Sequence, residues 1–407
     1  MLIRRLFMRT LHNEAGNFLD RILSRRYEMN ITLAILIMAT VGAFLQIGGT
    51  SWDITSHIMQ EPETFFTPSH TVLYTGVGLL TIAAGIGGVL LIKNKKLRTK
   101  SFATAFKLLI MGSTISLVAG PSDFLWHEAF GVDGLLSPPH LALATGMLIN
   151  SIAIVVGLAR IVVHIPIPSA NQRLIKLVMI PAFAALWFTT TWYVYIFSLP
   201  FSNGENFQFN LNSSIAAIIA IVALPLLSSM IFLIASKTIG RFGAASIVAG
   251  SVVGLNVFAN IIPTDGMIIS SLPWYLIMAI IPAAMADIVL SNSSIKSKIG
   301  VGKSELIAGA ILSSTFYIFN YPMLTWAFAI PLDMQLANLE GIEAVAILAS
   351  NFLSTLPTAL AITLVPGALM GIVGAYLSSK KIAIPSSHLG LLTLQDKNVS
   401  QEQRFYG

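Results

Sequence analysis

The chain has no cysteine. That absence excludes a disulfide framework, a thiolate metal site and a cysteine-held iron–sulfur cluster within it. Charge is scarce as well. Only 10% of the 407 residues are Asp, Glu, Lys or Arg, where an average soluble domain carries about 25%. Histidine is rarer still, at seven residues, and none falls between 174 and 378. What fills the chain is apolar: 55% of residues are hydrophobic, and the mean hydropathy is +0.79. A cleavable secretory leader is not expected, because no short apolar core with a small-residue cleavage site follows Arg4, Arg5 and Arg9.

The 24 Lys and Arg fall in short clusters at 4–26, 93–107, 160–176, 237–241, 296–303 and from 380 onward. The five stretches between them contain none. Each is long enough for two membrane spans of about 20 apolar residues and a connection. The expected fold is therefore all-α: a polytopic membrane helix bundle of about ten transmembrane helices. They are placed near 29–59, 68–92, 102–130, 138–163, 174–199, 212–235, 241–262, 272–291, 303–330 and 343–378. Pro357 and Pro366 predict a kink in the last of these, or a lateral helix followed by a span. Basic residues stay on the cytoplasmic side of membrane proteins, so both termini are expected inside. The other set of connections carries Glu61, Glu63, Asp133, Glu205, Asp265, Asp333 and Glu340 and no cation. The net charge of +6 thus records orientation, and no nucleic-acid partner is implied; the partner is the lipid bilayer of the cell membrane.

Four segments are expected. Residues 1–28 read as an amphipathic segment on the cytoplasmic surface, or as a basic tail. Residues 29–165 form a duplicated two-hairpin membrane domain. Residues 170–380 form a six-helix membrane domain, and residues 381–407 a cytoplasmic tail.

The duplication is visible in the sparse polar residues. Asp53, His57, Pro68, His70 and Gly76 recur, 70 residues later, as Asp123, His127, Pro138, His140 and Gly146. Both copies read D-x3-H-x12-H. With 8 Asp and 7 His in the chain, chance supplies about 0.002 copies of this pattern, so two in register are a repeat and not a random motif match. Asp and His four apart share one helix face. The second His of each copy sits in Thr67-Pro68-Ser69-His70 or Ser137-Pro138-Pro139-His140. Each is a helix start with Thr or Ser as the capping residue and Pro at the first helical position. Each hairpin so returns a second imidazole beside the first imidazole and the carboxylate, near the extracytoplasmic boundary. The positive end of the returning helix disfavours imidazolium there, and neutral imidazole is the form that ligates. The expected metal ligands are Asp53, His57 and His70, then Asp123, His127 and His140. Two imidazoles and a carboxylate suit copper, zinc or non-haem iron. Glu61, Glu63 and Glu128 are candidates for outer positions around the metal or for proton handling.

These residues resemble the C subunit of the copper-containing membrane monooxygenases, the particulate methane and ammonia monooxygenases. Phe66-Thr67-Pro68-Ser69-His70-Thr71-Val72-Leu73-Tyr74 is similar to the family's FTPAHWWLY. Leu125-Trp126-His127 followed by Pro138-Pro139-His140 resembles its MWH…PNH. The resemblance covers about residues 29–163, and the family usually has Asn where this chain has Asp123. It implies that Asp53, His57 and His70 hold one copper and Asp123, His127 and His140 its neighbour. It also implies partner A- and B-like subunits, a homo-oligomer, and oxidation of a small apolar or amine substrate by O2. Two other functions stay open on the residues alone: metal binding and transport, and zinc-dependent intramembrane hydrolysis with Glu128 as acid or base.

The second half offers less. Asp287 is expected to be a capping or inner-boundary carboxylate rather than a proton relay, and Asn256, Asn260 and Asn320 are expected to hydrogen-bond between helices. Trp187, Trp192, Tyr193 and Tyr195 are expected to form an interfacial belt. Met267, Met278, Met285, Met323 and Met334 show no M-x-x-M ladder of a metal conduit.

Overall fold

The structure is a computed structural model. It describes residues 30–56, 62, 64–93, 102–130, 136–164, 169–198, 213–261, 280–316 and 364–379. All regular structure among these residues is helical. The helices are α1 (Asn30–Ser56), α2 (Pro68–Lys93), α3 (Phe102–Phe130), α4 (Pro138–His164), α5 (Ser169–Ser198), α6 (Ser213–Ile239), α7 (Ala244–Ile261), α8 (Ile281–Ser291), α9 (Ser293–Ile299), α10 (Val301–Phe316) and α11 (Leu364–Ser379). Six of them, α1 to α6, are long and apolar enough to cross a membrane. Helices α7, α8 and α11 are apolar but shorter. Helix α5 starts five residues before the expected Leu174, because the polar turn Ser169-Ala170-Asn171-Gln172-Arg173 extends it beyond the apolar span. Pro366 is the third described residue of α11. The expected segments 1–28 and 381–407, and the expected helical stretch 343–363, lie outside the described residues.

Between helices in lipid, the hydrophobic effect offers little; close packing and interhelical hydrogen bonds must hold the bundle. Small residues make both of them here. In the first hairpin, a Cβ added to Gly76 would stand 2.5 Å from the Gln46 amide nitrogen and the Gly42 carbonyl. In the second, a Cβ on Gly112 or on Gly146 would stand 2.8 Å from the other's carbonyl. The backbones of each helix pair therefore meet at the same register, Gly42 on Gly76 and Gly112 on Gly146.

The hairpins also meet each other as equivalents. Gly87 of the first receives Phe106 of the second, with an added Cβ 2.6 Å from that ring. Gly157 of the second receives Leu36 of the first at 2.7 Å. Gly87 and Gly157 are repeat equivalents, and so are Leu36 and Phe106. Gln46 and Ser116, also equivalents, touch one another: Gln46 Nε2 donates to Ser116 Oγ at 3.5 Å. A residue that contacts its own counterpart lies on a two-fold relation. The four N-terminal helices are therefore an intramolecular dimer with its pseudo-axis at Gln46 and Ser116.

The second half packs on this unit without a break in the apolar core, which runs from Leu33 to Ala375. Ser51 Oγ donates to Asn256 Oδ1 at 2.9 Å, joining α1 to α7 by the interhelical hydrogen bond expected of Asn256. A second small-residue seam joins α6, α10 and α11. There Gly309 and Gly371 touch, Ser229 Oγ donates to the Gly371 carbonyl at 2.7 Å, and Ser313 Oγ to the Pro225 carbonyl at 2.6 Å. Asp287 caps as expected, but on another helix. Its carboxylate accepts from the Ala245 and Ser246 amides and from Ser246 Oγ, so α8 closes the N-terminus of α7.

The aromatic belt is corrected in part. Trp187 and Tyr195 are buried. The Trp187 indole packs on Phe232 at 4.9 Å and donates to Ser228 Oγ at 3.0 Å. A partner hydroxyl on α6 let that ring turn inward. Asn260's side chain, Asn320, Met267, Met278, Met323 and Met334 lie outside the described residues, and Met285 is exposed.

The glycine contacts give a direct stability test. Gly76→Leu or Gly146→Leu overpacks a backbone contact and should cost at least about 1–3 kcal/mol, read as a lowered unfolding midpoint in detergent. Gly85 has nothing within 4 Å of its added Cβ. Gly85→Ala should therefore hold or slightly raise the midpoint, since Ala is the better helix former.

Candidate metal centre

The alternation of the helices brings the ends of α1 and α3 and the starts of α2 and α4 to one end of the bundle. All described Lys and Arg residues, Lys93, Lys107, Arg160, Arg173, Lys176, Lys237, Arg241, Lys296, Lys298 and Lys303, lie at the other end. The motif acids Asp53 and Asp123 thus sit away from every described cation.

The second copy is gathered as expected. Asp123 and His127 lie one helical turn apart near the end of α3, just after Pro121, and His140 opens α4. His127 Nε2 stands 3.5 Å from Asp123 Oδ2, and His140 Nε2 stands 3.2 Å from Asp123 Oδ1. One ligand atom from each of the three lies within 4.8 Å of the others. All three side chains are largely buried, at 14–19% exposure, so the donor set faces inward rather than into open solvent. The capping expectation holds here: the His140 amide donates to Ser137 Oγ at 3.3 Å, which fixes where the helix starts and where His140 points.

In the first copy, Asp53 and His70 meet, with His70 Nε2 3.0 Å from Asp53 Oδ1. His57, Glu61 and Glu63 lie outside the described residues. Two partners that the sequence reading missed hold this pair. Ser69 Oγ donates to Asp53 Oδ1 at 2.8 Å. His70 Nδ1 lies 3.0 Å from the Thr64 carbonyl. A carbonyl only accepts, so Nδ1 carries the proton and Nε2 is left as the nitrogen turned to the carboxylate. This is the arrangement by which a backbone carbonyl fixes the tautomer and ring plane of a ligating His. Tyr74 stacks on the same ring at 5.6 Å. Ser69 lies within the stretch Phe66–Tyr74, but its role needs the geometry. Its counterpart is Pro139, so the repeat alone did not single it out.

Glu128 is exposed on α3 and stands outside the three-residue cluster. The two copies are linked across the hairpins by Phe65 and Phe124, whose rings meet edge to face at 5.3 Å. Phe124 directly follows Asp123, so the loop entering the first site braces the helix turn that carries the second.

Beside the second cluster lies a groove of 510 Å³ between α3 and α4. Ile115, Val118, Ala119, Trp126, Pro138 and Pro139 form its mainly apolar wall. Ser122, Trp126 and Pro139 of this lining adjoin Asp123, His127 and His140 in sequence, but none of the three cluster residues lines the groove itself.

Ser137→Ala should remove the cap of α4 and cost about 0.5–2 kcal/mol, while Ser137→Thr should recover most of it; unfolding of the detergent-solubilised chain by denaturant checks both. Comparison of the chain with family models, curated proteins and solved structures finds no match.

Proposed function

We propose that the chain is a copper-binding integral membrane protein, a C-subunit-like component of a membrane monooxygenase that oxidises a small apolar or amine substrate with O2. The observation that carries this reading is the convergence of Asp123, His127 and His140 within 4.8 Å, repeated in part by Asp53 and His70 at 3.0 Å. Two neutral imidazoles and one carboxylate, without sulfur, form an N/O set that binds Cu(II) most tightly among divalent first-row metals. The resemblance around Phe66–Tyr74 and Leu125–His140 supports copper over zinc or non-haem iron.

In this reading Asp53, His57 and His70 hold one copper, and Asp123, His127 and His140 hold the other. Bound copper supplies the redox chemistry with O2. The chain supplies the rest. Thr64 and Ser137 fix the orientation of His70 and His140. Ser69 orients the Asp53 carboxylate. The apolar groove at Trp126 and Pro139 suits an uncharged substrate arriving from the lipid side. Placing the basic end inside puts both sites at the extracytoplasmic face. A- and B-like subunits and a homo-oligomer belong to the same proposal.

Metal analysis after copper, zinc or iron loading tests it. Wild type should retain about two coppers per chain, and His127→Ala/His140→Ala should lose one, as should His57→Ala/His70→Ala. Preferential filling by zinc, or no retained metal, would overturn the proposal. Ser69→Ala removes an outer hydrogen bond to a ligand and should weaken the first site by about 10–100-fold, with the second site unchanged in a copper-competition titration.

A further inference from the structure

At the end of the bundle opposite the triads, α6, α8, α9 and α10 enclose a pocket of 310 Å³. Its charged lining comprises Lys237, Arg241, Lys296, Asp287 and Glu305. The two acids are already engaged. Asp287 is buried and accepts three hydrogen bonds from the first turn of α7, where the helix dipole offsets its charge. Glu305 pairs with Lys237 at 2.9 Å. Arg241 and Lys296 line the same pocket and form no ion pair among the described residues. Between them the pocket carries a net positive charge that its own carboxylates do not neutralise.

A second observation points to an acceptor-rich ligand. The Ser236 hydroxyl, in the pocket wall, is buried without a hydrogen-bond partner among the described residues. A buried hydroxyl left so lacks the partner that water would give it, and an anionic oxygen held by the neighbouring Arg and Lys would satisfy it. The remaining wall is apolar, with Leu233, Leu290 and Phe242. Phe242 is 68% exposed directly beside Arg241, the placing of an aromatic ring at a membrane interface. The short helix α9 carries Lys296 and Lys298 in its last turn and buries no residue, so it lies against the bundle end as a rim.

We propose that this pocket binds a phosphate group, presented as the headgroup of an anionic phospholipid, with Arg241 and Lys296 as its cationic clamp and Ser236 as a hydrogen-bond donor. Basic pockets between helices at the cytoplasmic boundary take such headgroups, and the apolar wall suits the acyl chains that come with them. The site is independent of the metal reading, since it shares no residue with either triad.

The test is native mass spectrometry of the detergent-solubilised full chain, titrated with dioleoyl phosphatidylglycerol, phosphatidylcholine or inorganic phosphate. Wild type should bind one phosphatidylglycerol in preference to phosphatidylcholine. Arg241→Gln/Lys296→Gln should weaken it roughly thirtyfold, from the loss of two interfacial cations. Lys93→Gln/Lys107→Gln removes the same charge from the same end of the bundle and should leave it intact. Ser236→Ala, which changes no charge, should weaken it several-fold and serves should the double variant fail to fold. Displacement of the lipid by inorganic phosphate at equal affinity would assign the same clamp to a soluble phosphate. Equal weakening in both double variants, no weakening in Arg241→Gln/Lys296→Gln and Ser236→Ala, or no binding of any probe would overturn the proposal.

Discussion

The structure rests on one contact made twice, the meeting of two helix backbones at a glycine pair. Gly42 against Gly76, and Gly112 against Gly146, bring the paired helices so close that no Cβ fits. In lipid this is the packing available when apolar side chains gain nothing by leaving the solvent. The register it sets is what matters for function. Asp53 lies three turns beyond Gly42, and Asp123 three turns beyond Gly112, while His70 and His140 precede their glycines by under two turns. Fixing the glycines therefore fixes which carboxylate faces which imidazole.

The pseudo-two-fold then explains why the pattern is doubled. Phe106 and Leu36 exchange places in the glycine notches of the opposite hairpin, and Gln46 meets Ser116 on the axis. The two halves pack against one another through these equivalent contacts, and both keep their polar ends on the same side. The copies also differ at the ends that carry the sites. Ser69 braces Asp53 in one copy, and Pro139 takes its place in the other. The apolar groove accompanies the second copy. The structure so separates a braced carboxylate in one copy from a carboxylate shared by two described imidazoles in the other.

Much of this was legible in the sequence, because charge is so rare that each polar residue carries information. The gaps between cation clusters marked the helices, the 70-residue offset marked the repeat, and the His–Asp spacing placed three side chains that do converge. Asp287 was readable as a cap, though not that it would cap α7. What stayed hidden depends on contacts between helices that no period encodes. The Gln46–Ser116 contact needs the axis. The Thr64 carbonyl has no side-chain signature. Trp187 reads as interfacial until Ser228 is seen across from it. Helix α9 is too short and too polar to stand out from a loop.

The central claim is that each duplicated hairpin delivers two imidazoles and one carboxylate to a single metal. Electron spin echo modulation of the copper-loaded chain carrying His57→Ala/His70→Ala examines the second site by itself. The account predicts modulation from two imidazole rings on one copper, reduced to one ring in a further His140→Ala variant. Modulation from no ring or a single ring before that last substitution, or a signal unchanged after it, would contradict it.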